Sequence, residues 1–262
     1  MPFHTSVLFV ASHAAPMNDP FLPILKTRQH CSHRSNGANC EHCKIRLDSI
    51  CAAFEPDDLD ALQSMAQTIS FAAKETIFLE NDDSDAAFTV TEGTLRLYKI
   101  FADGRRQVIS FLLPGDFISV EAEGRHEYSA DSITEVSLCC FPKKQFAAVV
   151  KQRPHVLQRL YETSARELIN AREHMLTLGQ RSAAEKLAWF LVHLAVRQSR
   201  TDFVSNIVEL PMSRQDIADH LGLTIETVSR TFSNFAREGT IAIMRHGVDL
   251  LNRKKIEKLA AT

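Results

Sequence analysis

Residues 211–238, PMSRQDIADHLGLTIETVSRTFSNFARE, constrain the fold more than any other part of this chain. Ser213 followed three positions later by Asp216 is a capping box, which predicts the start of a short helix. Ala218 is small enough for a second helix to approach closely, and Gly222 permits a sharp turn. This spacing predicts two helices joined by a tight turn, the arrangement known as a helix-turn-helix.

The second helix of this segment, which Thr224 caps, has two faces of different chemistry. Its apolar face consists of Ile225, Val228, Phe232 and Phe235. A polar face near its N-terminus carries Glu226, Ser229 and Arg230, at i, i+3 and i+4. An arginine can fork onto the two acceptors of guanine, a carboxylate can accept from a cytosine amino group, and a serine can sit beside a thymine methyl group. We therefore predict that these three side chains contact bases in the major groove, and that phosphates are contacted by Arg214, Thr224 and Thr227.

A hairpin wing is predicted behind this helix, from Thr240–Met244, the turn Arg245-His246-Gly247 and Val248–Leu250. The alternative is an ordinary helical hairpin whose polar face is solvated, with Glu226 and Arg230 forming an ion pair. The helix-turn-helix is favoured because the cap, the small residue, the turn glycine and the polar triad all occur together at its spacing.

A heptad pattern precedes this unit. After Pro154, positions spaced alternately by four and three residues form a seam that ends before Gly179: Leu157, Tyr161, Ser164, Leu168, Ala171, Met175 and Leu178. About three heptads predict a parallel pair of helices from two chains. The alternative is a core helix lying on its own β-domain, but a second apolar stripe is available for that contact: Leu160, Ile169 and Leu176. A further helix is predicted over Ala183–Val196.

Between Phe71 and Phe141, short β-type runs are separated by turn signals such as Asp103-Gly104 and Pro114-Gly115-Asp116. This pattern predicts a compact antiparallel β-domain, preceded by a short amphipathic helix within Glu55–Ile69. Residues 57–150 hold 16 acidic and 8 basic side chains. The β-domain therefore repels polyanions, and only residues 151–262 are suited to meet nucleic acid.

Three cysteines lie within twelve residues ahead of the first helix: Cys40, Cys43 and Cys51. A Cys-x2-Cys pair lets two thiolates converge on one metal centre, and three soft ligands require a fourth, which Cys139 or Cys140 can supply. Three interpretations are open: an iron-sulfur cluster, a structural zinc site that could also use His42, and a thiol-disulfide pair.

Composition and missing motifs exclude several classes of protein. The chain has 262 residues, of which 45% are hydrophobic and 24% charged, as expected of a globular protein with about two domains. Six unevenly placed cysteines do not form a disulfide framework, which favours reduced thiols and a cytoplasmic location. No apolar run approaches the length of about 18 residues that a membrane span needs. No Gly-rich phosphate loop or nucleophile elbow occurs, so the chain is not expected to be an enzyme.

The order of cysteine arm, acidic β-domain, heptad helix and helix-turn-helix resembles the Crp/Fnr family of bacterial transcription regulators over residues 40 to about 260. The segment LGLTIETVSR, Leu221–Arg230, is nearly the recognition-helix signature of that family. Within the family the chain is most similar to the oxygen-responsive Fnr branch, with its Fnr-like and FixK-like regulators.

The resemblance implies an α+β fold with an antiparallel β-roll like a cyclic-nucleotide-binding domain, a long dimerisation helix and a C-terminal winged helix-turn-helix. The expected parts are a cysteine arm over residues 1–54, the β-roll over 55–150, the dimerisation helix over 151–180 and the DNA-binding domain over 181–262.

The resemblance also implies what the chain binds. The family's base-reading residues fall on Glu226, Ser229 and Arg230. Its cluster ligands fall on Cys40, Cys43, Cys51 and, in EVSLCCFP, Cys139. This implies one [4Fe-4S] cluster per subunit, which favours the dimer when oxygen is scarce. The implied partners are a second copy of the chain, double-stranded DNA with an inverted repeat of the TTGAT type, and RNA polymerase. The alternative within the same fold is a regulator with a structural zinc or a thiol-based redox switch.

The cyclic-nucleotide branch of the family is matched less well. It needs a glutamate for the ribose and an Arg-Ser pair for the cyclic phosphate after the Gly-Asp turn. After Gly115-Asp116 the chain offers Glu127-Tyr128-Ser129, so Tyr128 stands where the arginine should be. An uncharged ring cannot neutralise a phosphate, and no cyclic nucleotide is expected to bind.

Overall fold

The computed structural model describes residues 36–37, 40–118, 124–199 and 206–261. The strands are β1 Asn36–Gly37, β2 Gln67–Phe71, β3 Thr76–Phe78, β4 Ala86–Glu92, β5 Leu95–Ile100, β6 Arg106–Leu112, β7 Phe117–Ile118, β8 Ser129–Ser132, β9 Val136–Pro142, β10 Ile207–Glu209, β11 Ala242–Met244 and β12 Gly247–Asp249. The α-helices are α1 Leu59–Met65, α2 Lys143–Lys151, α3 Pro154–Gln180, α4 Ala183–Gln198, α5 Arg214–Leu221, α6 Ile225–Arg237 and α7 Arg253–Ala260. None of these helices is long and apolar enough to cross a membrane.

Two antiparallel sheets form the predicted β-roll. One has the strand order β1-β2-β9-β4-β7 and the other has the order β3-β8-β5-β6. The apolar core of the roll includes Phe88, Leu95 and Leu138, all fully buried. The predicted α+β fold class, with β-roll, long helix and helix-turn-helix, is confirmed.

The β5–β6 hairpin has the predicted turn, with Ile100 pairing with Arg106 around Asp103-Gly104. The register shifts between Leu97 and Tyr98, where β6 carries one extra residue. Leu95 and Leu97 pack on the core of the β-roll, whereas Tyr98 is buried on the other face, in the cluster shared with the C-terminal domain.

The first helix is shorter than the segment predicted for it. A 3-10 turn over Pro56–Asp58 leads into α1, and the backbone becomes extended at Ala66 with ψ of 136°. Ile69, expected on the helix, lies in β2 opposite Leu138. Sheet pairing overrides the local helical spacing here, because a few periodic residues specify a helix only weakly.

Helix α3 is the long helix predicted by the heptad seam. Pro154 occupies its first turn, where a backbone N–H is not needed. Val156 is buried and Leu160 half-buried against the β-roll. Beyond that point the second apolar stripe does not make its predicted contact with the β-domain, because Ile169 and Leu176 are 57% and 62% exposed. Among the described residues, apolar packing of α3 on the β-roll involves Val156 and Leu160 in its first turns.

The C-terminal domain forms the predicted capping box and turn. The Oγ of Ser213 accepts from the N–H of Asp216, whose carboxylate accepts in return from the N–H of Ser213. Gly222 has φ of 61°, a left-handed conformation that favours glycine at the end of a helix.

The predicted wing is confirmed as β11 and β12, which are joined at Arg245 and His246. A third strand, β10, pairs with the other side of β12 and was not predicted. Its three residues are too short to show a period of two, so only the pairing partner makes it a strand.

Gly93→Ala tests the close approach of the backbone at Gly93, in the turn that joins β4 to β5, to the backbone of Glu135. At Gly93, φ is +81° and an added Cβ would lie 2.0 Å from the carbonyl oxygen of Glu135. At Gly104, φ is +82° with nothing within 4 Å. We expect Gly104→Ala to lower the free energy of unfolding by about 1–2 kcal/mol, the cost of a left-handed backbone, and Gly93→Ala to lower it further. Urea denaturation followed by circular dichroism measures both, and equal effects would contradict the close approach.

Candidate nucleic-acid interface and cysteine pocket

Helix α6 is capped by Thr224, whose Oγ1 accepts a hydrogen bond from the N–H of Thr227 over 3.2 Å. The buried face of the helix consists of Val228, Thr231, Phe232 and Phe235. Ile225, predicted to belong to this face, is 37% exposed. It is the first residue of the helix and lies beyond the end of the packed face.

The three predicted base-contacting residues, Glu226, Ser229 and Arg230, are all exposed on α6. Within the described part of the chain no salt bridge joins Glu226 and Arg230, although the nearby charge of Arg230 contributes to a lowered pKa of Glu226. The pKa of Glu226 is lowered by its own backbone N–H and by the hydroxyl of Thr224. The carboxylate is therefore ionised and able to accept a hydrogen bond from a base amino group.

The predicted phosphate-contacting residues also support the junction between α5 and α6. The guanidinium of Arg214 lies 3.3 Å from the centre of the Phe232 ring, and burial lowers its pKa. The hydroxyls of Thr224 and Thr227 are 3.1 Å apart. Phosphate contact by these three residues stays a prediction.

Two arginines that join the domains were missed by sequence reasoning. Arg96 of β5 and Arg106 of β6 each pair with Asp216 of α5 over 2.7 Å. The available signal was the presence of cationic side chains on both strands of one hairpin in an otherwise acidic domain. Without the fold, nothing in the sequence identified their partner.

A cavity of about 580 Å³ lies between the cysteine arm and the β-roll. Its lining contains all four predicted ligands, Cys40, Cys43, Cys51 and Cys139. All four are free cysteines; three are buried and Cys43 is half-buried. The fold thus brings the three arm cysteines to a residue from the last strand of the β-roll.

Local hydrogen bonds hold the arm in place. The Oγ of Ser49 accepts from the N–H of Cys51 over 3.2 Å and donates to the carbonyl of Arg46 over 3.1 Å. This starts the 3-10 helix Ile50–Ala53 that carries Cys51. At the other end of the arm, the N–H of Cys40 donates to Oε1 of Gln63 in α1 over 3.3 Å.

Strand alternation separates the two adjacent cysteines of β9. Cys139 lines the cavity and shares an apolar cluster with Cys40 and Cys51. Cys140 is fully buried in the core of the β-roll and is not one of the free thiols. Because successive side chains of a strand point to opposite faces, only one of the pair can serve this cavity.

Burial is the main cause that raises the pKa of three of these thiols. It raises the pKa of Cys51 to about 12, and the pKa values of Cys40 and Cys139 are also raised. Repulsion from the neighbouring cysteines adds to the effect at each. Such thiols stay protonated at neutral pH unless a positive centre compensates their charge, which is what a bound metal does.

The four thiols that line the cavity are chemically suited to bind a metal centre. Among the described residues, no three side chains of Cys, His, Asp or Glu are placed to hold one ion. A zinc ion, held by thiolates at about 2.3 Å, and an iron-sulfur cluster both take thiolate ligands of this kind.

The cysteine pocket adjoins the start of α3. The 3-10 helix Ile50–Ala53 packs against α3, and Val156 of α3 lies in the same apolar cluster as Cys51 and Cys139. Nearby, the Nε of Arg153 donates to Oδ1 of Asp58 over 2.6 Å. The pocket and the long helix are therefore parts of one packed unit.

The predicted dimer seam lies on the surface of this single chain. Leu157, Tyr161, Leu168 and Met175 are 51–75% exposed, and Ser164 and Ala171 are exposed too. Leu178 is half-buried and lies close to Gly222. One of its methyl groups is 3.5 Å from the position that a Cβ would take at Gly222. A row of exposed apolar side chains on one helix marks an interaction surface.

Comparison with known proteins gives matches to both domains. Residues 185–259 match the Crp-like helix-turn-helix domain and residues 68–153 match the cyclic nucleotide-binding domain. The chain is 46% identical over 226 residues to the nitrogen fixation regulation protein FixK of Bradyrhizobium diazoefficiens, covering 86% of this chain and 95% of that protein. It is 36% identical to the transcriptional activator protein FnrL of Cereibacter sphaeroides, covering 78% of this chain and 84% of that protein.

A solved structure agrees with these sequence matches. FixK2 from Bradyrhizobium japonicum superimposes with a TM-score of 0.69 at 34% identity, covering 75% of this chain and 98% of that one. With a β-roll, a long exposed helix and a capped helix-turn-helix in the same order as these relatives, the chain belongs to the Crp/Fnr family of transcription regulators, in its Fnr/FixK branch.

Proposed function

We propose that this protein is an oxygen-responsive transcription regulator that acts as a homodimer. It holds one [4Fe-4S] cluster per subunit and binds an inverted repeat of the TTGAT type near genes of low-oxygen metabolism. The observation that carries the proposal is that four thiols line one pocket and that three of them, Cys40, Cys51 and Cys139, share an apolar core with Val156, in the first turn of α3.

The donor set fits an iron-sulfur cluster. Cys40, Cys43, Cys51 and Cys139 would be its ligands, because four soft thiolates are the usual ligand set for such a group. The cluster would supply sensitivity to oxygen, which dismantles it. Position on the cavity favours Cys139 over Cys140 as the fourth ligand.

The packing around the pocket supports control of dimerisation. The arm that carries Cys51 touches α3 directly, while the seam residues Leu157 and Tyr161 follow within two turns of that contact. A cluster bound to both the arm and Cys139 would keep the arm packed on Val156. Loss of the cluster would release the arm, and the apolar core around Val156 would lose the contacts that the arm provides. A coupling free energy of about 1–3 kcal/mol changes an equilibrium five- to 150-fold, which is enough to shift a weak dimer.

The exposed triad on α6 supports direct reading of DNA. Two such helices, related by the two-fold axis of a dimer, would enter successive major grooves about one helical turn apart. The relatives named as transcriptional activators support activation, which in this family implies contact with RNA polymerase. We further propose a cytoplasmic location, no enzymatic activity and no cyclic-nucleotide ligand.

Arg230→Ala is expected to weaken binding to the cognate inverted repeat by about 1–3 kcal/mol, because a forked contact to guanine is lost. Discrimination at that one base pair should relax. Fluorescence anisotropy on duplexes substituted at each half-site position measures both effects. Arg237→Ala, on the same helix but bonded to Asn234, is the control and should change little. Equal weakening on every duplex would mean that Arg230 contacts only phosphate.

Cys43→Ser and Cys139→Ser are expected to abolish the iron content and visible absorption of protein purified without oxygen. Each should also convert the dimer toward monomer and reduce DNA binding, as exposure of the wild type to air should do. Cys140→Ser is the matched control, since its side chain lies on the other face of β9, and it should keep iron and dimer.

Metal analysis and sedimentation velocity provide these measurements. A Cys43→Ser protein that remains a DNA-binding dimer without iron would contradict the proposed switch. Stoichiometric zinc in place of iron would favour the structural-zinc alternative.

Added cyclic AMP is expected to leave DNA affinity unchanged, because Tyr128 offers no cation for the phosphate. Titration calorimetry and anisotropy with and without the nucleotide test this. A tenfold gain in DNA affinity would overturn our interpretation of the β-roll.

A further inference from the structure

The first helix of the helix-turn-helix is anchored to the β-roll of its own subunit. At its N-terminal end, the carboxylate of Asp216 accepts from Nη1 of Arg96 and Nη2 of Arg106, each at 2.7 Å. Arg106 also donates from Nε to Asp219 over 2.8 Å, and Arg96 donates from Nη2 to Asp131 over 2.9 Å. Two arginines of the β5–β6 hairpin thus join three carboxylates, two of which lie on α5.

The C-terminal end of the same helix is anchored as well. The buried ring of His220 lies with Nδ1 3.1 Å from the carbonyl oxygen of Val108 in β6. The carbonyl oxygen of His220 accepts from Nε2 of Gln107 over 3.3 Å and lies 2.9 Å from Nε2 of His174 in α3. Helix α5 therefore cannot rotate on the β-roll without breaking polar contacts at both ends.

An apolar core continues across the same boundary. Val108 and Phe111 of the hairpin are buried in one cluster with Leu191 of α4 and Ile217 of α5. Apolar packing holds the surfaces together but is not directional. The charged contacts supply direction, because each arginine bridges two carboxylates and its planar guanidinium reaches both in only a few geometries.

The charges of this network are well matched. The side chain of Asp216 is only 5% exposed. Burial raises the pKa of this carboxyl, but the hydrogen bonds of Ser213 and the two arginines outweigh it and hold the pKa below its usual value. Asp216 is thus both the N-terminal cap of α5 and the acceptor for the hairpin arginines, so one carboxylate joins the folding of the DNA-reading motif to its placement.

We propose that Arg96 and Arg106 are positioning residues for DNA recognition, which fix α5 on the β5–β6 hairpin and so set the direction in which α6 presents Glu226, Ser229 and Arg230. Helix α6 follows because it is joined to α5 through Gly222 and through the stacking of Arg214 on Phe232. The inference rests on the proposed reading of DNA by α6, but not on the iron-sulfur cluster.

Arg106→Gln is the test variant. Asp216 keeps Arg96 and Ser213 as partners, so no buried charge is left uncompensated and the fold should persist. Arg105→Gln is the matched control, with the same change of charge at the neighbouring position. The side chain of Arg105 is 81% exposed and, among the described residues, its contacts are with Asp103 and the Phe101 ring of the same turn.

Binding is measured by anisotropy on a duplex with an inverted TTGAT repeat, using dimer purified without oxygen, over a range of salt concentrations. We expect Arg106→Gln to bind at least about five-fold more weakly, with an unchanged monomer–dimer equilibrium and an unchanged salt slope. Arg105→Gln should bind like the wild type. Asp219→Asn combined with Arg106→Gln should weaken binding no more than Arg106→Gln alone, because both remove the same pair.

Trp189, the only tryptophan of the chain, reports on the same junction. Its ring stacks on His174 of α3 with centroids 5.5 Å apart and lies 6.5 Å from His220 of α5. We expect its emission to shift to longer wavelength in Arg106→Gln and to remain unchanged in Arg105→Gln.

Three results would overturn the positioning role. Wild-type affinity in Arg106→Gln would show that the pair does not orient α6. A salt slope lowered by about one would show that Arg106 contacts a phosphate. Tighter binding would show that docking restrains the domain instead of presenting it. If the wild type does not bind the duplex, both the proposed reading of DNA and the positioning role are wrong. If the wild type and the Arg106→Gln variant bind equally well, only the positioning role is wrong.

Discussion

One apolar core holds the cysteine arm, the β-roll and the long helix together. Cys51 and Cys139 lie in it beside Phe141 and Val156, all of them buried. The thiols are consequently in a place where ionisation is unfavourable, and their position against α3 means that any group bound there is in contact with the helix that carries the dimer seam. Under the proposed function, packing over this short distance would link the chemistry of the bound group to subunit association.

The contact between the β-roll and α5 differs in physical character from the apolar core around the cysteines. Between the β-roll and α5 the apolar contacts are supplemented by buried charge, with Asp216 surrounded by Arg96, Arg106 and the cap of its own helix. Uncompensated, that carboxylate would be costly to bury, so the two arginines and the domain orientation depend on each other. Apolar surfaces can slide across one another, but arginines that each bridge two carboxylates cannot, and this favours one particular arrangement of the β-roll and α5.

Charge is distributed unevenly between the β-roll and the C-terminal domain. The β-roll is acidic, yet its hairpin residues Arg96 and Arg106 face the C-terminal domain, where they neutralise the carboxylates of Asp216 and Asp219. The exposed face of α6 keeps Arg230 without a salt-bridge partner among the described residues, while Glu226 is held ionised by the helix N-terminus. The three side chains proposed to read bases are exposed, as direct contact with base edges requires.

The sequence by itself determined the features that depend on residues within a few positions of one another. The Ser213–Asp216 box, the left-handed Gly222, the heptad seam and the Asp103-Gly104 turn are of this kind, since caps and turns are closed by local hydrogen bonds. Only the tertiary structure decided which of Cys139 and Cys140 lines the pocket, that Ile69 belongs to a strand, that Ile169 and Leu176 stay exposed, and that Arg96 meets Asp216, 120 residues away. Such outcomes depend on which distant surfaces meet and on the face of a strand that each side chain occupies, and no local pattern contains that information.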